Sequence, residues 1–256
     1  MTESDLARIT HERLSEPGKG RLIEPLSLFA AVQESPCLTM QSGSEGAPPA
    51  VVSNRGSGNV VFSGFSASAD RLRLRIHGSD NVVFVGAHFR GGGDIAINGS
   101  NNMIYIGAFT TIGSITLNQS GDGGSFIVGD HCMISNRIQV GNTDGHAIFD
   151  KTTGERINPD RDVYIGDRVW IARDASIGKG ARINDGAVVG QKSHVIGTLD
   201  AECVYAGIPA RKLREGIVWS RSAENSVEEW HEGVHYQRIL EKKAALIERI
   251  SSAQPD

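Results

Sequence analysis

A histidine between two aspartates is the best candidate in this sequence for moving a proton. His146 lies in the segment Asn142–Asp150, two residues after Asp144. A neutral imidazole, with an ordinary pKa of about 6.5, can accept a proton near neutral pH. Asp144 or Asp150 would accept the second ring N–H and fix the tautomer, with a turn-forming role as the alternative for Asp144. We therefore predict His146 as a general base.

The segment that holds His146 interrupts a repeat of six residues. Aliphatic residues recur six apart on both sides of it, at Val128, Ile134, Val140, Ile165, Ile171, Ile177, Ile183, Val189 and Val195. An amphipathic helix would show spacings of three and four, so we predict short strands that turn a corner every six residues. Three such strands make a triangular coil with the aliphatic side chains inside. Residues 142–162 are then a loop excursion, where binding and catalytic residues commonly lie.

Two smaller regularities accompany the aliphatic positions. Four residues after most of them comes a compact residue, expected to fill the narrow remainder of the interior: Cys132, Val169, Ala175, Ala181, Ala187 and Ser193. Glycine often follows the aliphatic residue directly, as at Gly129, Gly166 and Gly190. We expect these glycines in the left-handed conformation at the corners, which costs other residues energy.

A longer repeat precedes the six-residue one. Gly64, Gly86, Gly107 and Gly129 close similar β-prone runs and are 22, 21 and 22 residues apart. A constant period of this length is typical of a solenoid, in which each coil is stabilised by its neighbours. We predict an all-β solenoid over residues 51–215 and an N-terminal cap over residues 1–50. A capping box at Ser226 predicts an α-helix in the C-terminal extension, residues 216–256.

Composition argues against several classes of protein. The 256 residues carry a net charge of −4, so no general attraction to nucleic acid is expected. The three cysteines are far apart and form no C-x-x-C, which argues against disulfides or structural zinc and fits a reducing compartment. No signal peptide is apparent, and no apolar window approaches the ~18 residues of a membrane span. We predict a cytoplasmic protein with no membrane span.

The six-residue repeat resembles the hexapeptide-repeat acyltransferases, whose fold is a left-handed parallel β-helix. Residues 144–150, 154–159 and 163–171 look like the D-x-H-x-I, R-I-N-P and I-G-x-x-V-W-I pattern of O-acetyltransferases that modify capsular polysaccharides and other surface glycans. Residues 204–212 are similar to the V-x-A-G-x-P-A-K/R ending of the same superfamily. The left-handedness is implied by this resemblance, because ordinary parallel crossovers are right-handed.

The resemblance implies transfer of an acetyl group from acetyl-CoA to a hydroxyl of a bacterial glycan. The hydroxyl would attack the thioester directly with His146 as base, and a homotrimer would bind the donor between subunits. Trp170 is expected to point outward and is implied beside the active site, with packing against another subunit as its alternative. The alternative functions are acetylation of a small molecule, such as an amino sugar, an antibiotic or serine, and a non-catalytic β-helix scaffold.

Isolated cations and backbone groups are the candidates for binding acetyl-CoA. No Walker-type or dinucleotide glycine motif is present to hold its phosphates. The candidate cations, each with a solvated surface charge as the alternative, are Arg173, Lys179, Lys192, Arg211 and Lys212. Backbone N–H groups near Ala172 and Gly190 are candidates for binding the amides of the pantetheine arm. His231 and His235 lack a third ligand nearby in the sequence, so we predict no metal site.

Overall fold

The computed structural model describes residues 46–221 in full and the backbone of residues 37–41. These residues form twenty β-strands, which belong to one compact unit, and they contain no helix that could cross a membrane. The strands are β1 (Cys37–Gln41), β2 (Ala50–Arg55), β3 (Asn59–Ser63), β4 (Ser68–His77), β5 (Val82–Val85), β6 (Arg90–Asn98), β7 (Met103–Ile106), β8 (Thr111–Ser120), β9 (Ser125–Val128), β10 (Met133–Ile134), β11 (Ile138–Gly141), β12 (Val163–Ile165), β13 (Trp170–Ile171), β14 (Ser176–Ile177), β15 (Arg182–Ile183), β16 (Val188–Val189), β17 (His194–Val195), β18 (Thr198–Leu199), β19 (Cys203–Ala206) and β20 (Arg211–Glu215).

Parallel pairing between successive coils builds the solenoid. One sheet runs β1-β3-β5-β7-β9-β12-β15-β18, and the other twelve strands form a second sheet that bends around a corner. Parallel strands cannot be joined by a tight hairpin, so the chain completes a circuit before it pairs again. The sole antiparallel pair among these strands is β19 with β20. The predicted all-β solenoid is confirmed, and its class is the left-handed parallel β-helix.

The coils are wider in the N-terminal half. Equivalent corner residues Asn59, Asn81 and Asn102 are 22 and 21 residues apart, whereas Asp167 and Asp185 are 18 apart. The wide coils contain β4, β6 and β8, which are 10, 9 and 10 residues long. Each of these strands continues past a corner: β8 pairs with β10 through its first residues and with β11 through later ones. The wide coils therefore present a larger outer surface than the six-residue coils.

Aliphatic side chains fill the interior as their spacing predicts. All of the six-apart residues are buried, and Ile165, Ile171 and Ile183 are completely inaccessible. The compact residues predicted to complete each coil are buried as well: Cys132, Val169, Ala175, Ala181, Ala187 and Ser193. Burial stabilises each Ile or Val by about 1.5–3 kcal/mol relative to exposure. Because the cross-section of one coil is open above and below, this burial exists only when coils stack.

A ladder of buried asparagines ties the wide coils together. The Asn59 Oδ1 atom accepts hydrogen bonds from the N–H and Nδ2 of Asn81, each at 3.0 Å. The Asn81 Oδ1 atom accepts the same pair from Asn102, at 2.9 and 3.1 Å. The Asn81 Nδ2 atom also donates to the carbonyl of Gly99 at 3.0 Å. A buried amide is costly when unpaired, so this ladder requires the coils to stack in one register.

Close approach, and not a left-handed backbone, explains the glycines that follow the aliphatic positions. Our expectation for Gly129, Gly166 and Gly190 is wrong, since none of them has positive φ. A Cβ at Gly166 would lie 2.1 Å from the Asp185 Oδ1 atom, which accepts the Asp167 N–H at 2.9 Å. The left-handed residues come two positions later, at the corner itself: His131, Arg137, Arg168, Asp174, Gly180, Gly186 and Lys192.

The β-helix begins earlier than the predicted boundary at residue 51. β1 pairs in parallel with β3 over five residues, so Cys37–Gln41 belongs to a coil although we placed it in the N-terminal cap. At the other end, β20 turns back on β19 and interrupts the parallel series. Residues 1–36 of the predicted cap and the helix predicted from Ser226 lie outside the described residues.

Removing one rung of the asparagine ladder tests its contribution to stability. We expect Asn81→Ala to lower the free energy of unfolding by at least about 2 kcal/mol, because the Gly99 carbonyl and the Asn102 N–H lose their side-chain partner and Asn59 Oδ1 keeps only the backbone N–H of residue 81. Urea unfolding followed by circular dichroism measures the change. The control Gln139→Ala, on an exposed outward side chain, should stay within about 0.5 kcal/mol of the parent. Equal midpoints for both variants would contradict the role of the ladder.

Candidate active site

The loop excursion is fixed to the β-helix at both ends. At its start, buried Asn142 accepts the Ser120 N–H at 2.8 Å and donates to the Ser120 carbonyl at 2.7 Å. At its end, Asp162 Oδ1 accepts the Ser125 N–H at 2.8 Å, across 37 residues of sequence. The Arg161 N–H donates to the Asn142 carbonyl at 2.9 Å and joins the two ends. The loop therefore leaves and re-enters the scaffold at one corner without disturbing the register.

Asn158 holds the backbone at His146 and Ile148 and contacts the side chain of Asp144. Its side chain is buried, and its Nδ2 donates to the His146 carbonyl at 2.8 Å and to Asp144 Oδ2 at 2.9 Å. Its Oδ1 accepts the Ile148 N–H at 2.6 Å. One amide thus contacts three positions within five residues. The main chain at His146 is consequently restrained although the residue itself is exposed.

Lys179 connects this loop network to the next coil. Its Nζ donates to Asp144 Oδ2 at 2.5 Å and to the Asn158 carbonyl at 3.1 Å. These hydrogen bonds, first from Lys179 and then from Asn158, lower the pKa of Asp144 from its ordinary value. Asp144 is therefore a carboxylate at neutral pH. We predicted that Lys179 binds acetyl-CoA. In this structure its ammonium group instead contacts Asp144 and the Asn158 carbonyl.

Neither aspartate contacts the ring of His146. Asp144 is engaged by Lys179 and Asn158, while Asp150 Oδ1 accepts the N–H groups of Thr152 and Thr153 at 2.7 and 2.9 Å. These two N–H groups lower the pKa of Asp150. The structure therefore does not contain the predicted hydrogen bond between the His146 ring and one of these carboxylates. Asp144 links the side chains of Lys179 and Asn158, and Asp150 closes a turn.

Trp170 points outward, as its position after inward Val169 predicts. It is half-buried between the buried side chains of Val169 and Ile171. Its ring centroid lies 6.0 Å from that of Trp219, at an interplanar angle of 46°. The Trp219 Nε1 donates to the Arg168 carbonyl at 2.7 Å, which fixes the second ring. Trp219, in the segment after β20, therefore covers part of the outward-facing Trp170 ring.

The remaining predicted cations fall into two groups. Lys212 forms an ion pair with Asp200 at 2.7 Å, which raises the pKa of Lys212 and lowers that of Asp200. Arg173, Lys192 and Arg211 are exposed and have no ion pair among the described residues. Arg173 and Lys192 lie on successive coils, where the Lys192 N–H donates to the Arg173 carbonyl at 3.0 Å. These three side chains therefore remain available to an anionic ligand.

The backbone N–H groups of Ala172 and Gly190 are not available to a ligand. Ala172 donates to the Val189 carbonyl at 2.9 Å, and Gly190 donates to the Tyr205 carbonyl at 2.7 Å. Both are rungs between coils, so these two N–H groups are occupied within the chain, and pantetheine binding by backbone groups near Ala172 and Gly190 stays a prediction. Gly190 instead permits close packing, since a Cβ there would lie 2.8 Å from the Cβ of Ala206.

The cysteines of the described ranges are buried, and the acidic and histidine side chains there form no metal centre. Burial raises the pKa of the Cys132 thiol to about 12, and its Sγ lies 3.0 Å from the Gly166 carbonyl. Cys203 is also buried. Within residues 37–41 and 46–221, no three His, Cys, Asp or Glu residues come together as metal ligands.

Two residues of the site, Asn158 and Trp219, were not predicted from the sequence. Asn158 lies in the R-I-N-P block, which marked the resemblance but did not indicate that its amide would hold the His146 backbone. Trp219 follows the final hexapeptide coil, and only its proximity to Trp170 identifies it.

A parallel β-helix with one anchored, histidine-bearing loop and an outward tryptophan is the arrangement expected of a hexapeptide-repeat acyltransferase. No family model matches the chain. A polysialic acid O-acetyltransferase from Neisseria meningitidis is 32% identical over 174 residues, which cover 67% of this chain and 80% of that protein. The crystal structure of the polySia specific acetyltransferase NeuO aligns with a TM-score of 0.67 and 26% identity, covering 80% of this chain and 98% of NeuO.

A second solved structure supports the fold. The polysialic acid O-acetyltransferase OatWY aligns with a TM-score of 0.60 and 24% identity over 78% of this chain and 99% of OatWY. The chain belongs to the hexapeptide-repeat acetyltransferase family that includes the polysialic acid O-acetyltransferases. It is accordingly an acetyltransferase.

Loss of the Lys179 contact should loosen the loop. We expect Lys179→Met to accelerate trypsin cleavage after exposed Lys151 about three-fold, the modest effect expected from the loss of one partly exposed ion pair. Mass spectrometry of the digest measures the rate. Lys192→Met also removes one charge and one trypsin site, but it lies outside the loop and should leave that rate unchanged. Equal rates for the two variants would show that Lys179 does not anchor the loop.

The same anchor has a defined pH dependence. Because the pKa of Asp144 is lowered, the ion pair is fully formed above the ordinary pKa of an aspartate and is lost as pH falls through the lowered value. We expect hydrogen exchange of the loop amides, corrected for intrinsic rates, to gain protection as pH rises through this acidic range and then to stay constant to neutrality. A Lys179→Met variant should show a smaller gain, because only the contacts of Asn158 with Asp144 and of Asp150 with its turn still depend on pH there. A gain as large as that of the parent would contradict the role of Lys179.

Proposed function

We propose that this protein transfers the acetyl group of acetyl-CoA to a hydroxyl of an anionic bacterial glycan. The observation that carries the proposal is His146 on an anchored loop, in a chain 32% identical to a polysialic acid O-acetyltransferase. A thioester is already activated, so the protein needs to supply a base, a defined geometry and stabilisation of the developing oxyanion. No enzyme nucleophile is required, in keeping with the buried cysteine thiols.

In the proposed reaction, the acceptor oxygen attacks the carbonyl carbon of the thioester while its proton passes to the ring of His146. The resulting tetrahedral species collapses, the C–S bond breaks, and the acetyl ester is released. The CoA thiolate leaves and takes up the proton that His146 received. The hydrogen bonds of Asn158 would keep the His146 backbone in place throughout, which limits the conformational freedom lost on reaching the reactive geometry.

The donor would lie against the C-terminal coils. Trp170 offers an outward aromatic surface to the pantetheine arm, while Arg173, Lys192 and Arg211 are the unpaired cations for its phosphates. This assignment leaves out Lys179 and the N–H groups of Ala172 and Gly190, which have partners within the chain. Arg-phosphate contacts would be the stronger ones, because the guanidinium can bind two oxygens at once.

A homotrimer would complete the site. Three apolar side chains on the His146 loop are more than half exposed: Ile148 at 53%, Phe149 at 60% and Ile157 at 58%. Grouped apolar exposure of this kind commonly marks a protein interface. In our proposal a neighbouring copy covers this loop and brings His146 to the donor. Cytoplasmic location remains a prediction of the sequence.

An acetylation assay tests the proposed function directly. The protein is incubated with acetyl-CoA and polysialic acid, release of the CoA thiol is followed, and the new ester is identified by nuclear magnetic resonance. Transfer to the polymer but not to amino sugars, antibiotics or serine supports the glycan assignment, and the reverse pattern replaces it with the small-molecule function. No transfer to any acceptor, with no rise in melting temperature on adding acetyl-CoA, would favour a non-catalytic scaffold.

The base is tested by substitution. His146→Ala should lower kcat by about 10²–10⁴-fold, the typical contribution of general-base catalysis. Binding of acetyl-CoA should persist, with stabilisation of roughly 2.7 kcal/mol at 100 times the dissociation constant. Lys151→Ala, an exposed side chain on the same loop, should change kcat by less than about two-fold. An unchanged kcat in His146→Ala would remove the histidine from the mechanism.

A further inference from the structure

Three arginines project from one strand of the wide coils. Arg71, Arg73 and Arg75 alternate along β4 with Leu72 and Leu74, which are fully buried. Side chains two residues apart in a strand point to the same face, so the arginines stand about 7 Å apart in a row. The alternation turns all three guanidinium groups to the outside of the β-helix.

An aspartate on the next strand holds two members of this row. Asp94 of β6 accepts a hydrogen bond from Arg73 Nη2 at 2.7 Å and from Arg75 Nη1 at 2.9 Å, and these contacts lower its pKa. The arginine side chains nevertheless remain 55% and 42% exposed. A guanidinium has five N–H donors, so each retains donors that face solvent. Exposed ion pairs of this type contribute little to stability. The main effect of Asp94 is therefore to orient the guanidinium groups of Arg73 and Arg75.

The side chains of two further arginines in this region, Arg71 and Arg90, have no ion pair or hydrogen-bond partner within the described ranges 37–41 and 46–221. Arg90 begins β6 and lies in a register column with Thr111, Met133 and Trp170. Three strand spacings separate it from Trp170, which is about 14 Å along the outer face. Arg90 is therefore within reach of a polymer whose reacting unit lies near Trp170. The three arginines of β4 come after the corner of that strand, where the column of Arg75 runs through Ala96 and Asn118 to Gly141, at the start of the loop that carries His146.

The charge in this region is opposite in sign to that of the whole molecule. We define the arginine face as Arg71, Arg73 and Arg75 together with Arg90, which lies across the corner that β4 and β6 turn. Its acidic neighbours are Asp94 and exposed Asp70, so four positive charges meet two negative ones, in a chain whose net charge is −4. A row of separated cations suits a ligand with repeated negative charges better than a single anion, because only the former contacts several guanidinium groups at once.

We propose that the arginine face binds carboxylates of an anionic polysaccharide acceptor, several sugar units away from the unit that is acetylated. The inference rests on the proposed function and extends it from the reacting hydroxyl to the polymer. The wide coils supply the outer surface on which the polysaccharide would lie, and Asp94 orients Arg73 and Arg75 toward the polysaccharide. Such contacts act on acceptor binding and leave the chemical step unchanged.

Steady-state kinetics with long and short acceptors test this inference. Arg71→Gln should raise KM for long-chain polysialic acid about three-fold, and Arg71→Gln/Arg90→Gln about ten-fold, as expected for exposed charge contacts. KM for a sialic acid trisaccharide, KM for acetyl-CoA and kcat should not change. Arg214→Gln removes an exposed arginine on β20 and should leave KM for the polymer at the parental value. The salt dependence of polymer KM should also weaken in the double variant.

The outcomes separate this inference from the function on which it rests. If the parent acetylates polysialic acid and the double variant has the same polymer KM, the arginine face is not the acceptor surface and the proposed function stands. If KM for acetyl-CoA rises instead, the arginines bind the donor phosphates and the inference is overturned. If the parent acetylates no glycan, the proposed function fails and the inference with it. Unchanged melting temperatures verify that the exposed substitutions have not altered folding.

Discussion

Register between stacked coils is the constraint on which the rest of this structure depends. No coil can bury its own interior, so every inward Ile or Val needs the coil above and the coil below. The asparagines at residues 59, 81 and 102 and the aspartates at residues 130, 167 and 185 enforce that stacking through side-chain hydrogen bonds to the neighbouring coil. A shift by one residue would turn aliphatic side chains outward and leave these polar groups unpaired.

The rigid register also explains how a loop can carry chemistry without unfolding the scaffold. Between Asp130 and Asp167 the step is 37 residues, yet the same backbone-to-side-chain contact forms as in the coil with an 18-residue step. The extra chain therefore adds a loop at one corner and nothing to the interior. Asn142, Asp162 and Lys179 attach this loop to the preceding and following coils, so the position of His146 derives from the β-helix.

Much of the fold was predictable because its signals are periodic. Spacings of six and of 21–22 residues predicted the coils, their interior residues and the loop at 142–162. The glycine explanation failed, since the sequence cannot distinguish a glycine needed for a left-handed corner from one needed for close approach. In Gly166 the reason is the Asp185 carboxylate of the next coil. The coil formed by residues 37–41 was missed because it lacks the flanking Gly and Asn pattern of the later copies.

The sequence by itself determined the coil type, the buried residues, the place of the loop and the identity of His146 as the candidate base. Tertiary structure alone decided the partners: Lys179 with Asp144 across 35 residues, Asn158 with the His146 carbonyl, and Arg90 in the same column as Trp170. The physical reason is that periodic burial specifies which side chains enter the core. An exposed polar group can form contacts of similar energy with several partners. The register of the coils determines which of these partners lies within hydrogen-bond distance.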